Sequence, residues 1–398
     1  MNVQVGIASV GGRYPSRSGD FLTYSASRIS AIGATAMKLY FSPNYKGDFD
    51  PPYRIDYPGQ TYADTYTSLA TLAADPAYTT VFNDPNITRY VINTWSFQPT
   101  SLNNYWNAEL SNAQIDAEYT EMFDLVTYLL SLDIDKEILI ANWEGDWQLL
   151  GGVDPLNLPI PPRRVHRARA FFRARRNAIH DAIKNNPTSQ TRVRMSMECN
   201  RVLDTNGPRW HSHVTPHVRP DYVTLSIYEA INFWGDGPPT SVSNIYEFVP
   251  KVFKRVREEN GSDVQILVSE AGWPENQSNF TDVGNNGGSL LHALCEVSAA
   301  EGVNTVLHWQ LYDNEEISPG VERGYKVYDQ DDATFSQQGR QVYVRCQHPT
   351  ATFVEYSTET ALLADTPVDN TVGHAVDSDA YYVRVGGVWN DAGIPGPG

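Results

Sequence analysis

Cysteine is scarce in this 398-residue chain: Cys199, Cys295 and Cys346 are three in number and far apart. That excludes a disulfide framework and any paired CxxC metal motif. Lysine is scarce beside arginine, 7 against 23, and the 30 basic side chains are outnumbered by 47 acidic ones. A net charge of −17 repels phosphate over most of the surface, which argues against a nucleic-acid reader. No run approaches 18 apolar residues, so no membrane partner or span is expected. The opening MNVQVGIASVGG has no charged start and no long apolar stretch, so no signal peptide is expected. The expected location is the cytoplasm, or a virion (its tail) assembled there. Gly11-Gly12 is not a GxGxxG phosphate loop and no GxSxG elbow occurs, which disfavours a dinucleotide fold and a serine hydrolase.

What is abundant is apolar and aromatic: 41% hydrophobic residues, with 9 Trp, 23 Tyr and 14 Phe. Short apolar runs recur at 3–10, 35–41, 89–94, 137–141, 193–197, 222–227, 265–269 and 304–310. Most are continuous, as in EILIA and TVLHW, which suits strands covered on both faces of a parallel sheet. Helical stretches lie between them, among them 113–131, 163–185, 243–260 and 289–301. Eight strand-then-helix units predict an α/β fold, a (β/α)8 TIM barrel over residues 1–347. Residues 348–398 carry no helical stripe and read as a small C-terminal β-rich extension.

In such a barrel, chemistry collects where the strands end. Those ends carry Lys38 and Tyr40, then Trp95, then Asn142-Trp143-Glu144, then Glu198-Cys199-Asn200. The later ends carry Tyr228, Glu270 with Trp273, and Trp309. Acids, amides and aromatic faces are what a sugar site needs: two carboxyl groups for acid and nucleophile, amides for hydroxyls, rings for pyranose faces.

Two stretches make the pattern specific. ILVSEAGWPE (266–275) and ILIANWEGDW (138–147) resemble the strand-seven and strand-four motifs of the large clan of retaining glycoside hydrolases. The resemblance implies Glu270 as nucleophile and Glu144 as acid/base. It also implies Tyr228 as a hydrogen-bond partner of the nucleophile and Trp309 as the floor of the sugar site. Asn142, Glu198, Asn200, Trp273, Trp95, Lys38 and Tyr40 complete the expected substrate-binding set. The clan places Asn directly before its acid/base, whereas here Trp143 intervenes; Glu198 is then a second candidate acid. No cofactor and no metal are expected, and HSHVTPH (211–217) lacks acidic partners at ligand spacing.

The run RRVHRARAFFRARR (163–176) is read as the solvated face of a helix rather than as a site for an acidic polymer. The end, AVDSDAYYVRVGGVWNDAGIPGPG (375–398), resembles a short β-module of tail and fibre proteins of tailed viruses. The expected function is a retaining glycoside hydrolase on a polysaccharide or surface glycan. If it is carried on a particle, other virion tail proteins are its partners. The alternative is a non-catalytic glycan-binding or structural tail protein on the same barrel.

Overall fold

The computed structural model describes residues 3–9, 21–42, 66–97, 110–150, 160–204, 207–231, 241–275, 283–313, 316–318, 321–328, 334–356, 358–375, 378 and 380–394. Eight parallel strands close in chain order into a barrel: β1 (Gln4–Ala8), β2 (Ala36–Phe41), β3 (Arg89–Thr94), β4 (Glu137–Ala141), β5 (Arg192–Cys199), β6 (Tyr222–Ser226), β7 (Gln265–Ala271) and β8 (Thr305–His308). β8 pairs back onto β1. All eight expected strands are present with ends shifted by a few residues; Val10 lies outside the described residues.

Alternate residues point inward, and they fill the barrel in layers. At the N-terminal end Arg89 Nε pairs with Glu137 Oε2 at 2.7 Å. Val91, Leu139, Leu267 and Leu307 pack together above them. The third layer is polar and includes Lys38, Glu198 and Ser269, all fully buried. A charged layer at the C-terminal end of the strands costs stability unless every group is paired, so it marks the site.

The surrounding helices are fixed by buried stripes and caps. In Asn112–Ser131, Met122, Leu125, Val126 and Leu129 face the barrel, and Ser111 with Gln114 forms a reciprocal cap. Arg175, in the helix Pro162–Asn185, departs from the expected solvated face. It is buried, its Nε donates to Glu118 Oε1, and its Nη1 donates to the Thr94 carbonyl at 3.1 Å. Its position on the helix face that also carries Phe171, Phe172 and Ile179 explains why one arginine of the run turns inward.

After the barrel come a short pair, β9 (Glu316–Ser318) and β10 (Val321–Glu322), and the helix Gln337–Gln347. A four-stranded sheet follows: β11 (Thr352–Tyr356), β12 (Thr371–Ala375), β13 (Ala380–Val385) and β14 (Val388–Asp391). The β13–β14 turn is Gly386-Gly387 with φ of +60° and +80°, the pair of positive angles a two-residue hairpin requires. Ala351, Val372, Tyr381 and Val383 pack on Val344 of the preceding helix. The tail also contains the helix Glu359–Ala364, too short to leave a stripe in the sequence. Among the described residues, no helix is long and apolar enough to cross a membrane.

Candidate active site

Six buried polar side chains from five strand ends meet in the top layer. Lys38 Nζ, from β2, donates to Glu198 Oε2 at 2.6 Å and to Glu270 Oε1. Ser269 Oγ donates to the same Glu198 oxygen at 2.6 Å. The other Glu198 oxygen accepts the Glu144 backbone N–H at 2.9 Å. Ser226 Oγ, from β6, lies in hydrogen-bond reach of Glu144 Oε1 and 3.4 Å from Glu270 Oε2. One hydroxyl therefore touches both Glu144 and Glu270.

A register shift explains how two consecutive β7 residues reach one cluster. Leu225 pairs with Val268 but Ser226 pairs with Glu270, so one residue of β7 is extra. Strict alternation would send Ser269 and Glu270 to opposite faces; the bulge turns both inward.

The Glu144 loop is held just as closely. Trp143 adds a residue after Asn142, and Glu144 adopts φ +24°, a conformation few side chains take. Its neighbours hold it there. Asn142 Oδ1 accepts the Glu198 N–H at 3.1 Å, and Asn142 Nδ2 donates to the Glu198 carbonyl at 3.3 Å. Asp146 accepts the N–H groups of Trp210 at 2.7 Å, Asn200 at 3.0 Å and Arg201 at 3.1 Å. The Trp210 ring lies where a side chain on Gly145 would be, with ring atoms 2.2–2.5 Å from that point. Gly145→Ala should therefore overpack the loop and cost about 1–3 kcal/mol. A melting temperature equal to that of the parent protein would contradict this reading of the loop.

The charges are strongly coupled. Burial, then the Glu270 and Glu198 charges, pushes the Glu144 carboxyl well above the usual carboxylate range, and the Ser226 hydrogen bond only partly offsets this. Burial alone would lower the Lys38 ammonium, but the Glu198 and Glu270 carboxylates outweigh it and hold Lys38 above the ordinary lysine value. Burial, followed by the charges of Glu270, Glu198 and Glu144, raises the Tyr40 phenol well above its usual value. The layer thus holds a firm cation, a neutral phenol and a carboxyl disposed to keep its proton.

Several expected substrate contacts are spent inside the protein. Trp273 is fully buried, and its backbone exchanges hydrogen bonds with the Gln338 amide; it is packing, not wall. Asn142 ties β4 to β5. Asn200 pairs reciprocally with Asp146, its Oδ1 accepting the Asp146 N–H at 3.1 Å. Glu198 is fully buried with both oxygens engaged, so it is neither a free acid nor an open binding group. Glu144 and Glu270 retain 9% and 3% exposure. Around them, Trp309 keeps 8%, and half-buried Trp95 packs edge-on against Tyr40 with centroids 5.0 Å apart. The Tyr228 ring meets Tyr325 at 5.9 Å. Ser226 and Ser269 carry no signature in the sequence; the β6–β7 register shift is what brings them to the cluster.

Among the described residues, no three His, Cys, Asp or Glu side chains are placed to hold a metal ion. No protein-family model matches the chain, and no curated protein matches it in sequence. The likeness is to solved structures. The exo-β-1,4-mannosidase Op5Man5 from Opitutaceae bacterium strain TAV5 superposes with a TM-score of 0.55 at 13% identity over 92% of this chain, which spans 64% of that protein's length. A family 5 xyloglucanase from Paenibacillus pabuli gives 0.54 at 10% identity, covering 87% of this chain and 98% of that one. A GH5_18 protein from Bifidobacterium longum subsp. longum gives 0.54 at 13%, covering 86% and 78%. At these identities the likeness shows the shared barrel and leaves the chemistry to the site.

Proposed function

We propose that this protein is a retaining glycoside hydrolase acting on a polysaccharide or surface glycan. The observation that carries the proposal is the Ser226 hydroxyl shared by Glu144 and Glu270. A retaining pair stands about 5–5.5 Å apart, whereas an inverting pair needs about 6.5–9.5 Å to admit a water between carboxylate and sugar. Two carboxyl groups bridged by one hydroxyl suit the first arrangement.

In this mechanism Glu270 attacks the anomeric carbon while Glu144 gives its proton to the departing oxygen. The glycosidic C–O bond breaks and an ester to Glu270 forms. Water then donates its proton to Glu144, attacks the same carbon and frees Glu270. Lys38 donates to both Glu270 and Glu198, so one ammonium holds the nucleophile beside its neighbour. Tyr40, Trp95 and Trp309 offer ring faces for the sugar, and Tyr228 stands beside them.

The test is the configuration of the first product. The protein is incubated with β-mannan, β-glucan, xyloglucan and a panel of aryl glycosides, and the anomers are followed by proton NMR. Release of a product that keeps the substrate configuration supports the proposal. An inverted product, or glycan binding without any release across the panel, overturns it, the latter in favour of a binding protein. A finer proposal treats residues 1–347 as the catalytic unit and 348–398 as a module that attaches it to a virion tail. It rests on the resemblance of residues 375–398 to viral tail modules.

A further inference from the structure

The arginine run of the helix Pro162–Asn185 is ordered in a way that a merely solvated face would not need. Arg169 Nε donates to the His213 carbonyl at 2.6 Å, Arg173 Nε to the His217 carbonyl at 2.9 Å, and Arg176 Nε to the Arg219 carbonyl at 3.0 Å. Arg164 Nη1 donates to the carbonyls of Leu150 at 2.8 Å and Leu149 at 3.2 Å. None of these four pairs with a carboxylate among the described residues, in a chain with 47 acidic side chains.

Three consequences follow from this pinning. First, Arg169, Arg173 and Arg176 sit at i, i+4 and i+7, one row on one face, about 10 Å long at 1.5 Å per residue. Second, each of the three spends its Nε on the backbone of residues 213–219, which holds the side chain against that segment. The rotamer freedom that an arginine loses on binding is therefore already lost. Third, positive charge is crowded there, with Glu259 the acidic neighbour felt by His213. Burial and then Arg173 lower the Arg169 guanidinium, while burial and then Arg169 and Arg173 lower the His217 imidazole. Such a row attracts anions with bidentate geometry, carboxylate or sulfate among them.

Position and shape choose the partner. Arg164 lies about 140° round the helix from that row and grips the last carbonyls of the helix Gly145–Leu150, which starts directly after Glu144. The helix that carries the row therefore starts at the end of the barrel where Glu144 stands, and the row lies further along it, against residues 213–219. Duplex nucleic acid carries a charge every ~1.7 Å and would be repelled by the acidic remainder of the molecule. A single thin chain with one charge per sugar unit can follow the row without meeting that field. We propose that Arg169, Arg173 and Arg176 form a secondary track for an acidic polysaccharide, carboxylated or sulfated, on the outer wall of the barrel. This deepens the glycoside hydrolase reading and rests on it.

The experiment uses the full chain on immobilised polygalacturonate and dextran sulfate at about 50 mM salt, with neutral dextran, duplex DNA and anionic phosphatidylserine vesicles as comparisons. The native protein should bind at least one acidic polysaccharide and be released by salt. The triple variant Arg169→Gln/Arg173→Gln/Arg176→Gln should bind about tenfold more weakly, with the salt slope reduced by about two. If the triple variant unfolds, Arg173→Gln alone, at the exposed centre of the row, should weaken binding about two- to threefold. Absence of binding to both acidic polysaccharides overturns the track, as does an unchanged affinity in the folded variants. Tighter binding to DNA or to vesicles overturns it in favour of those partners. Turnover of neutral aryl glycosides separates the two readings: intact turnover with no acidic-chain binding removes only the track. Acidic-chain binding lost in the variants, with no turnover in any protein, removes only the hydrolase.

Discussion

Glu270→Gln is expected to lower turnover at least about 10⁴-fold, a loss of about 5 kcal/mol of transition-state stabilisation. The amide cannot form the glycosyl ester, and it also removes the anion that Lys38 and Ser226 hold in place. Glu144→Gln should be milder, about 10²–10⁴-fold, and its size should depend on the substrate. An aryl glycoside with a good leaving group needs little protonation and should lose least. The pH profile gives a second readout. Glu144 must be protonated to act as acid, and its carboxyl lies well above the usual range. Activity should therefore persist above the ordinary carboxylate range and fall as pH rises through the raised value of Glu144. In Glu144→Gln that falling limb should vanish. Loss of activity insensitive to the leaving group would assign the acid to another residue.

Lys38→Met should be the most damaging substitution for stability. It leaves Glu198 and Glu270 as neighbouring buried carboxylates with their shared cation gone. Breaking a buried ion pair from one side costs about 3–5 kcal/mol, because the remaining charge stays buried and unpaired. For a chain of this size that is a fall of about 4–6 °C in melting temperature. Methionine fills nearly the same volume, so the loss reports charge rather than a cavity. The double variant Lys38→Met/Glu198→Gln should recover part of the loss, since one bare carboxylate is then neutral. Differential scanning calorimetry of the two variants decides it. A single variant within about 1 kcal/mol of the parent, or a double variant worse than the single, would contradict the pairing.

The barrel is legible in the sequence because strands buried on both faces must be apolar nearly throughout, and only a handful of chain folds present eight such strands. Glu270 is legible for a related reason, standing at the end of the long apolar run QILVS with Trp273 close behind. Ser226 is not, because a serine closing a strand carries no signature, and its meaning comes from a one-residue slip between β6 and β7. Trp273 and Trp309 look alike in sequence, each near a strand end. Only packing separates them, since the helix Gln337–Gln347 supplies Gln338 to cover the first. The arginine run misleads in the opposite direction. Periodicity assigns its faces well enough, but the carbonyls that pin it belong to residues 213–219, some 40 positions away.

Glu198 links the two halves of the proposed chemistry through opposite oxygens, one on Lys38 and one on the Glu144 backbone. That arrangement bears on synthesis as much as on hydrolysis. If Glu270 is cut back to glycine, Lys38 still faces a carboxylate, and Glu144 keeps its anchored backbone. The barrel should then accept an activated glycosyl fluoride in the vacated space and join it to an acceptor sugar, with no nucleophile left to undo the bond. In the proposed chemistry the support for the nucleophile lies on a different strand, so Glu270→Gly should lengthen oligosaccharides without hydrolysing them.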